Sequence, residues 1–269
     1  MSFGRDDFPL WGSSATVMVE KPECLDAARR AVDSVAADID ATFVQEGSDL
    51  ARVNAASGRP VRVGATFLAV LWTALHAFDL TGGLVDLVVG VPPAGDRTLV
   101  IDEPPGTVRT PPGTTLDLWG IAQAFAADRA AESAAGQAGC GVCVCFPGSF
   151  ATAGPVPAAG WPVQVPKGRR EQEDGDCRGM SIVLRTPGGL ATSVLAARAR
   201  EPGRVPAQTL SGGVQPWHAV SVFGLRCVAA KTASIAALSL GDAAVTWLES
   251  RELRARMVHT NGTVTTVGC

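Results

Sequence analysis

The chain has no tyrosine and only three histidines among its 269 residues. It also has no excess of positive charge: 23 Lys and Arg stand against 26 Asp and Glu, a net charge of −3. That balance gives no electrostatic reason to expect nucleic acid or an acidic membrane surface as a partner. No window of about 18 apolar residues stands out, so no membrane-spanning helix is expected. The opening residues, MSFGRDDFPLWG, carry acids where a signal peptide needs bases, and they contain no continuous apolar stretch. A cytoplasmic protein is the expectation.

Cysteine is present in an odd number, at positions 24, 140, 143, 145, 177, 227 and 269. An odd count in a cytosolic chain argues against a disulfide framework. Cys140, Cys143 and Cys145 form a C-x-x-C-x-C cluster that a soft metal could use. The plainer reading is a half-buried strand, GVCVCF, with Cys143 and Cys145 on one face and Val142 and Val144 on the other. That reading leaves no metal site.

Hydrophobic residues make up 46% of the chain and charged residues 18%, enough to bury a large core. Thirty glycines and 18 prolines point to many turns. Ala15–Val19 reads as a strand. Glu23–Phe43 places Leu25, Val32, Val35, Ile39 and Phe43 near the helical period. Thr66–Leu80 repeats that pattern through Leu68, Leu71, Leu75 and Phe78, with Thr66 as the cap. The Pro- and Gly-rich stretch Val91–Pro112 reads as loops around one strand, Thr98–Asp102. Ile121–Ala138 is Ala-rich and helical, and Lys167–Gly179 reads as an exposed loop. Ser181–Arg185 and Ala219–Arg226 alternate as strands, and Ala229–Leu240 reads as a helix. Asp242 is expected to cap another helix running to about Arg254. Met257–Val267 reads as a strand, an Asn261-Gly262 turn and a strand. Strands and helices alternate without a βαβ rhythm, which predicts an α+β fold of mixed sheets packed with helices. With no clear linker, residues 1–269 are expected to form one domain.

The stretch Ser48–Gly90 reads SDLARVNAASGRPVRVGATFLAVLWTALHAFDLTGGLVDLVVG. It resembles the front half of the ApbE family, the FAD:protein FMN transferases. That family's pattern is Ser-acid-Leu-x-Arg-x-Asn, a short strand, a helix, then Thr-Gly-Gly-x-x-Asp. Here it is met by Ser48, Asp49, Leu50, Arg52 and Asn54, then Thr81, Gly82, Gly83 and Asp86. A second block, LDLWGIAQAFAADR from Leu116 to Arg129, matches at Asp117, Leu118, Gly120, Ile121, Ala122, Ala126 and Asp128. A third runs over Val142–Val165, with Gly148 retained and Ser149 at an Asp position. A fourth is Gly189–Ser193. The fifth, Ala230–Ile235, precedes a helix that closes on Leu240-Gly241. The resemblance covers residues 11–257.

The resemblance implies FAD as ligand and a Thr or Ser hydroxyl of a flavoprotein acceptor as the target of FMN transfer. It implies flavin contacts at Trp11, Thr81, Gly82, Gly83, Leu84, Val85, Asp86, Asp117, Gly120 and Gln123. For Asp117 a helix cap is an equally good reading, and the two are compatible. Several family features are altered. Gln123 stands where the family has Lys. The segment at 206–212 lacks the family's His-Ile-Ile-Asp-Pro, and the chain's histidines, His76, His218 and His259, lie elsewhere. Lys231 and Ile235 stand where the family has the Asp and Thr that bind Mg²⁺. Mg²⁺ requires hard oxygen ligands, so that site is expected to be degenerate. Lys231 is the catalytic candidate, a cation near the pyrophosphate in place of the metal. Its other reading is an ordinary exposed first-turn residue. The function read from the chain is thus an FMN transferase of reduced or metal-independent activity. The alternative is a non-catalytic flavin- or nucleotide-binding protein acting as a partner or regulator.

Overall fold

The computed structural model describes residues 3–90, 98–104, 106–165, 180–195 and 215–268. Its centre is an eight-stranded sheet. β1 (Gly4–Leu10) and β2 (Ser13–Val19) form one side. β8 (Val142–Phe146), β9 (Ser149–Ala153), β12 (Gly189–Val194) and β13 (Trp217–Gly224) run through the middle. β14 (Arg254–His259) and β15 (Val264–Val267) complete the other side. The order is β1-β2-β8-β9-β12-β13-β14-β15, and every neighbouring pair is antiparallel.

The two faces of the sheet are covered differently. Val17, Val19, Val142 and Val144 point to a face packed by helices α1 (Leu25–Phe43), α4 (Trp119–Ala138) and α5 (Cys227–Leu240). Met18 and Cys143 are cross-strand partners on the opposite face, where Trp161, Val163 and Leu184 meet them. Those residues belong to a two-stranded ribbon, β10 (Trp161–Val165) with β11 (Met180–Leu184). A strand covered on both faces must be apolar throughout. Val142, Cys143, Val144 and Phe146 are accordingly all buried, which corrects the half-buried expectation for this strand.

The remaining elements sit beside the helical layer. α2 (Asp49–Ala55) and α3 (Ala65–Leu80) follow α1. β3 (Val61–Arg62), β6 (Thr107–Arg109) and β5 (Val100–Asp102) form a small sheet. Two short strands, β4 (Val88–Val89) and β7 (Thr115–Leu116), pair immediately before α4. α6 (Ala244–Glu249) packs against α5.

The α+β expectation holds, and most elements lie where periodicity puts them. Four details differ. Helix α3 begins at Ala65, and its cap position is Gly64, whose N–H is taken by Asp49 Oδ2 at 2.7 Å. Thr66 instead donates to Asp38 Oδ2 on α1 at 2.7 Å. The helix after Asp242 stops at Glu249, because Arg254–His259 is needed as a sheet strand, and Ala243 holds its cap position. The loop region around Thr98–Asp102 contains two strands, β5 and β6. Finally, the stretch Cys227–Glu249 is long and apolar enough by composition to cross a membrane, contrary to expectation. It is interrupted at Gly241, with φ +57°, and packs on β12 and β13 as a core helix. The loop expected at Lys167–Gly179 lies outside the described residues.

Candidate functional site

The motif at Ser48–Asn54 builds a frame. Ser48 Oγ accepts from Ala51 N–H at 3.3 Å and caps α2. Asp49 pairs with Arg52 and holds Gly64 N–H, so one carboxylate joins the start of α2 to the start of α3. Arg52 Nη2 donates to the Arg62 carbonyl at 3.0 Å. Asn54 accepts from Leu116 N–H at 2.7 Å through Oδ1 and donates to the Leu116 carbonyl at 3.0 Å through Nδ2. That two-point grip fixes the residue immediately before Asp117.

Thr81-Gly82-Gly83 ends α3. Gly82 and Gly83 have φ of +60° and +87°, which glycine adopts without a steric penalty. Gly83 N–H donates to the Phe78 carbonyl at 2.9 Å, closing the helix end. Thr81 is buried. Its hydroxyl donates to the Ala77 carbonyl at 2.7 Å and accepts from Val85 N–H at 3.1 Å. The Thr and the two Gly therefore shape the turn that delivers Leu84, Val85 and Asp86.

Asp86 and Asp117 come together through strand pairing. Asp117 N–H donates to the Leu87 carbonyl at 3.0 Å, in register with the Val88–Leu116 pair. Both acids are half-buried. Asp86 Oδ1 accepts from Val88 N–H at 3.0 Å. Asp117 precedes the cap position, which is Leu118, and its Oδ1 lies 3.4 Å from Trp119 N–H. It is thus poised over the open N-terminus of a 20-residue helix, where backbone N–H groups favour an anion or a polar ligand.

Trp11 joins the site from the β1–β2 turn. Its ring meets Trp119 edge-on at 5.0 Å and Phe146 at 5.2 Å. Its indole N–H is buried and has no hydrogen-bond partner among the described residues. Gln123 lies one turn into α4, half-buried. The structure therefore gathers Trp11, Asp86, Asp117, Gly120 and Gln123 at one end of α4, while Thr81, Gly82 and Gly83 stand behind them.

Lys231 completes this corner from α5. It is 8% exposed and stands in the second turn of the helix, which excludes the exposed first-turn reading. Its Nζ donates to the Thr192 carbonyl at 2.9 Å. Gly120 faces it across the helix contact. A Cβ built on Gly120 would lie 3.5 Å from Lys231 Cε and 3.6 Å from Ile235 Cδ1. Beneath the lysine, Ser193 and Ser234 hydroxyls are 2.8 Å apart, and Ser234 also donates to the Lys231 carbonyl at 3.0 Å. Thr192 and Ser221 hydroxyls form another 2.8 Å pair.

These residues do not fit Mg²⁺. The position facing Gly120 carries an ammonium stem and an isoleucine methyl. The nearby hydroxyls are paired with one another, and the Thr192 carbonyl is held by Lys231. No cluster of three or more His, Cys, Asp or Glu suited to a metal occurs among the described residues. The C-x-x-C-x-C run does not converge either. Cys143 and Cys145 have sulfurs 3.8 Å apart on the ribbon side, while Cys140 packs into the helical core.

Two buried groups support α5. Asp128 accepts from Cys227 N–H at 2.8 Å and Val228 N–H at 3.1 Å, capping α5 from α4. Burial pushes its carboxyl above the ordinary value, and the two N–H donors offset part of that shift. Cys227 is fully buried; burial and the neighbouring Asp128 charge push its thiol up to about 12. Ser149, where the family has Asp, is 0% exposed and lies beside the Cys227 thiol.

Sequence reasoning did not assign roles to Thr192, Ser193, Ser221 and Ser234, the polar floor under Lys231. The Gly189–Ser193 match was the available signal for the first two. The segment 206–212 lies outside the described residues.

A family model described as the ApbE family matches residues 92–258. Ser48–Gly90, the stretch with the densest motif, lies outside that match. No curated protein matches the chain. Among solved structures, flavin transferase ApbE from Vibrio cholerae is similar at 16% identity and a TM-score of 0.73, over 99% of this chain and 98% of that one. Apo flavinyl transferase ApbE from Pseudomonas stutzeri is similar at 18% identity and 0.77, over 99% and 94%. The ApbE protein from Thermotoga maritima is similar at 18% and 0.77, over 99% and 97%.

Proposed function

The chain belongs to the ApbE family, and on that premise we propose that it binds FAD at the N-terminal end of α4 and transfers FMN slowly, without Mg²⁺, to a Thr or Ser hydroxyl of a target protein. The observation that carries this reading is the buried Lys231 ammonium beside Gly120, where the family has its metal ligands. In the reaction, the acceptor oxygen bonds to the flavin-side phosphorus, the bond from that phosphorus to the bridging oxygen breaks, AMP leaves with that oxygen, and the hydroxyl proton passes to the departing AMP phosphate. Negative charge on the phosphoryl oxygens must be stabilised, and a fixed cation in a water-poor site does so. Asp86 and Asp117 orient the nucleotide by accepting hydrogen bonds, Trp11 offers an aromatic face, and Gln123 offers a polar contact.

A point charge on one flexible stem cannot bridge two oxygens as a divalent ion does. That limit favours a second reading, a protein that holds FAD and transfers nothing. Flavin absorbance of the purified protein and calorimetry with FAD test binding. Affinity should be unchanged by EDTA and fall at least severalfold in Asp117→Ala; equal affinity in both proteins would overturn the site. FMN incorporation into a Thr-containing acceptor separates the two readings. A rate that collapses on chelation and recovers with Mg²⁺ would overturn the metal-free mechanism.

A further inference from the structure

Away from the flavin corner, a cavity of about 630 Å³ opens between α3, α4, α5 and α6. Its walls include Leu80, Phe125, Val228, Trp247 and Leu253. Of the residues placed at the flavin corner, only Thr81 also lines it, and that hydroxyl is already used by Ala77 and Val85. Helix α5 separates the two sites. Lys231 and Ile235 leave it toward Gly120, whereas Val228 and Thr232, one turn apart, face the cavity.

The cavity combines uncovered apolar surface with an unneutralised positive charge. Leu80 is 62% exposed, and Leu225, next to the rim residue Arg226, is 90% exposed. Arg226 itself is neutralised by Asp128 and Glu132. Arg251 is not: its guanidinium lies 4.1 Å over the Trp247 ring and donates to Ser250 Oγ, and no carboxylate pairs with it among the described residues. Stacking on the indole holds the guanidinium flat while leaving most of its N–H fork available for a carboxylate. A pocket of this volume suits a small organic ligand.

We propose that this cavity binds a small amphipathic carboxylate, with its apolar body among Leu80, Phe125, Val228 and Trp247 and its carboxylate on Arg251. The proposal does not depend on the flavin reading. Its test uses the full chain and the fluorescence of anilinonaphthalene sulfonate, an apolar dye with one negative charge. The dye should brighten at a single saturable site, and decanoate should displace it several times more tightly than the uncharged decanol. Arg251→Ala should remove that preference while leaving decanol unchanged. Ala229→Trp, an exposed lining position, should fill the mouth and abolish dye binding with FAD affinity intact; Arg251→Ala carries the test alone if this variant does not fold. Equal competition by decanoate and decanol, dye binding that survives in folded Ala229→Trp, or stoichiometric displacement of the dye by FAD would each overturn the proposal. The last result would make the cavity part of the flavin site.

Discussion

The side-chain amide of Asn54 engages both backbone polar groups of Leu116, its N–H at 2.7 Å and its carbonyl at 3.0 Å. An amide can do this because its oxygen accepts and its nitrogen donates from two separate atoms. The contact ties α2 to β7 and so sets where Asp117 begins α4.

Asn54→Ala should therefore act on stability and on binding together. Leu116 is buried, so its backbone groups would lose their partners, at a cost of about 2 kcal/mol. Urea unfolding should show a lower midpoint with an unchanged slope, and FAD affinity should fall although Asn54 touches no ligand in the proposed site. Asn54→Asp, which keeps the acceptor and loses the donor, should lie between the two.

Restoring the metal ligands tests what Lys231 does. Lys231→Asp with Ile235→Thr should create Mg²⁺ affinity measurable by calorimetry. Replacing the buried isoleucine by threonine should cost about 1 kcal/mol or more. FMN transfer should rise only in part, since Gln123 and Ser149 still differ from the family. A double variant that binds both Mg²⁺ and FAD yet transfers no FMN would identify the chain as a binding protein.

Asp128 should leave a mark on the pH dependence of stability. Its folded-state pKa is raised, chiefly by burial. The protonated form thus favours the folded state at acid pH, and that contribution is lost as the pH rises from the unfolded value through the folded one. Asp128→Asn should flatten the stability curve across that window. Carboxyl carbon NMR should show Asp128 titrating above the exposed acids of the chain.

Cysteine labelling should follow burial. Cys227, pushed up to about 12, and Cys143, raised well above its ordinary value by its contact with Cys145 and by burial, should resist iodoacetamide in the folded protein at mildly alkaline pH. Cys145, which is half-buried, should react first of the three. Site-resolved mass spectrometry reads this directly, and fast labelling of Cys227 would show that α5 opens at its N-terminus.

Periodicity found the long helices because their apolar faces repeat. It missed β1, α2, β4 and β7, which are short or are held by distant partners such as Asn54. The corner containing Asp86, Asp117 and Gly120 was legible through motif spacing. The burial of Lys231 was not, since a lysine in the sequence gives no sign that a carbonyl on β12 awaits it. The same holds for Asp128, whose role as the cap of α5 depends on a partner 99 residues away.

The pairing of β2 with β8 bears on how the chain reaches this state. Val19 lies opposite Val142, and α1 rests on α4, so the N-terminal hairpin and helix gain these two partners only after residue 146 has been made. At ordinary rates of synthesis that interval is roughly 6 to 25 s. Throughout it, β2 lacks its β8 neighbour and α1 lacks α4, so the apolar surface those two elements cover stays open to water. A nascent chain stalled before β8 should be a client for chaperones, and the late closure of so distant a strand pair should make folding slow relative to a helical protein of the same size.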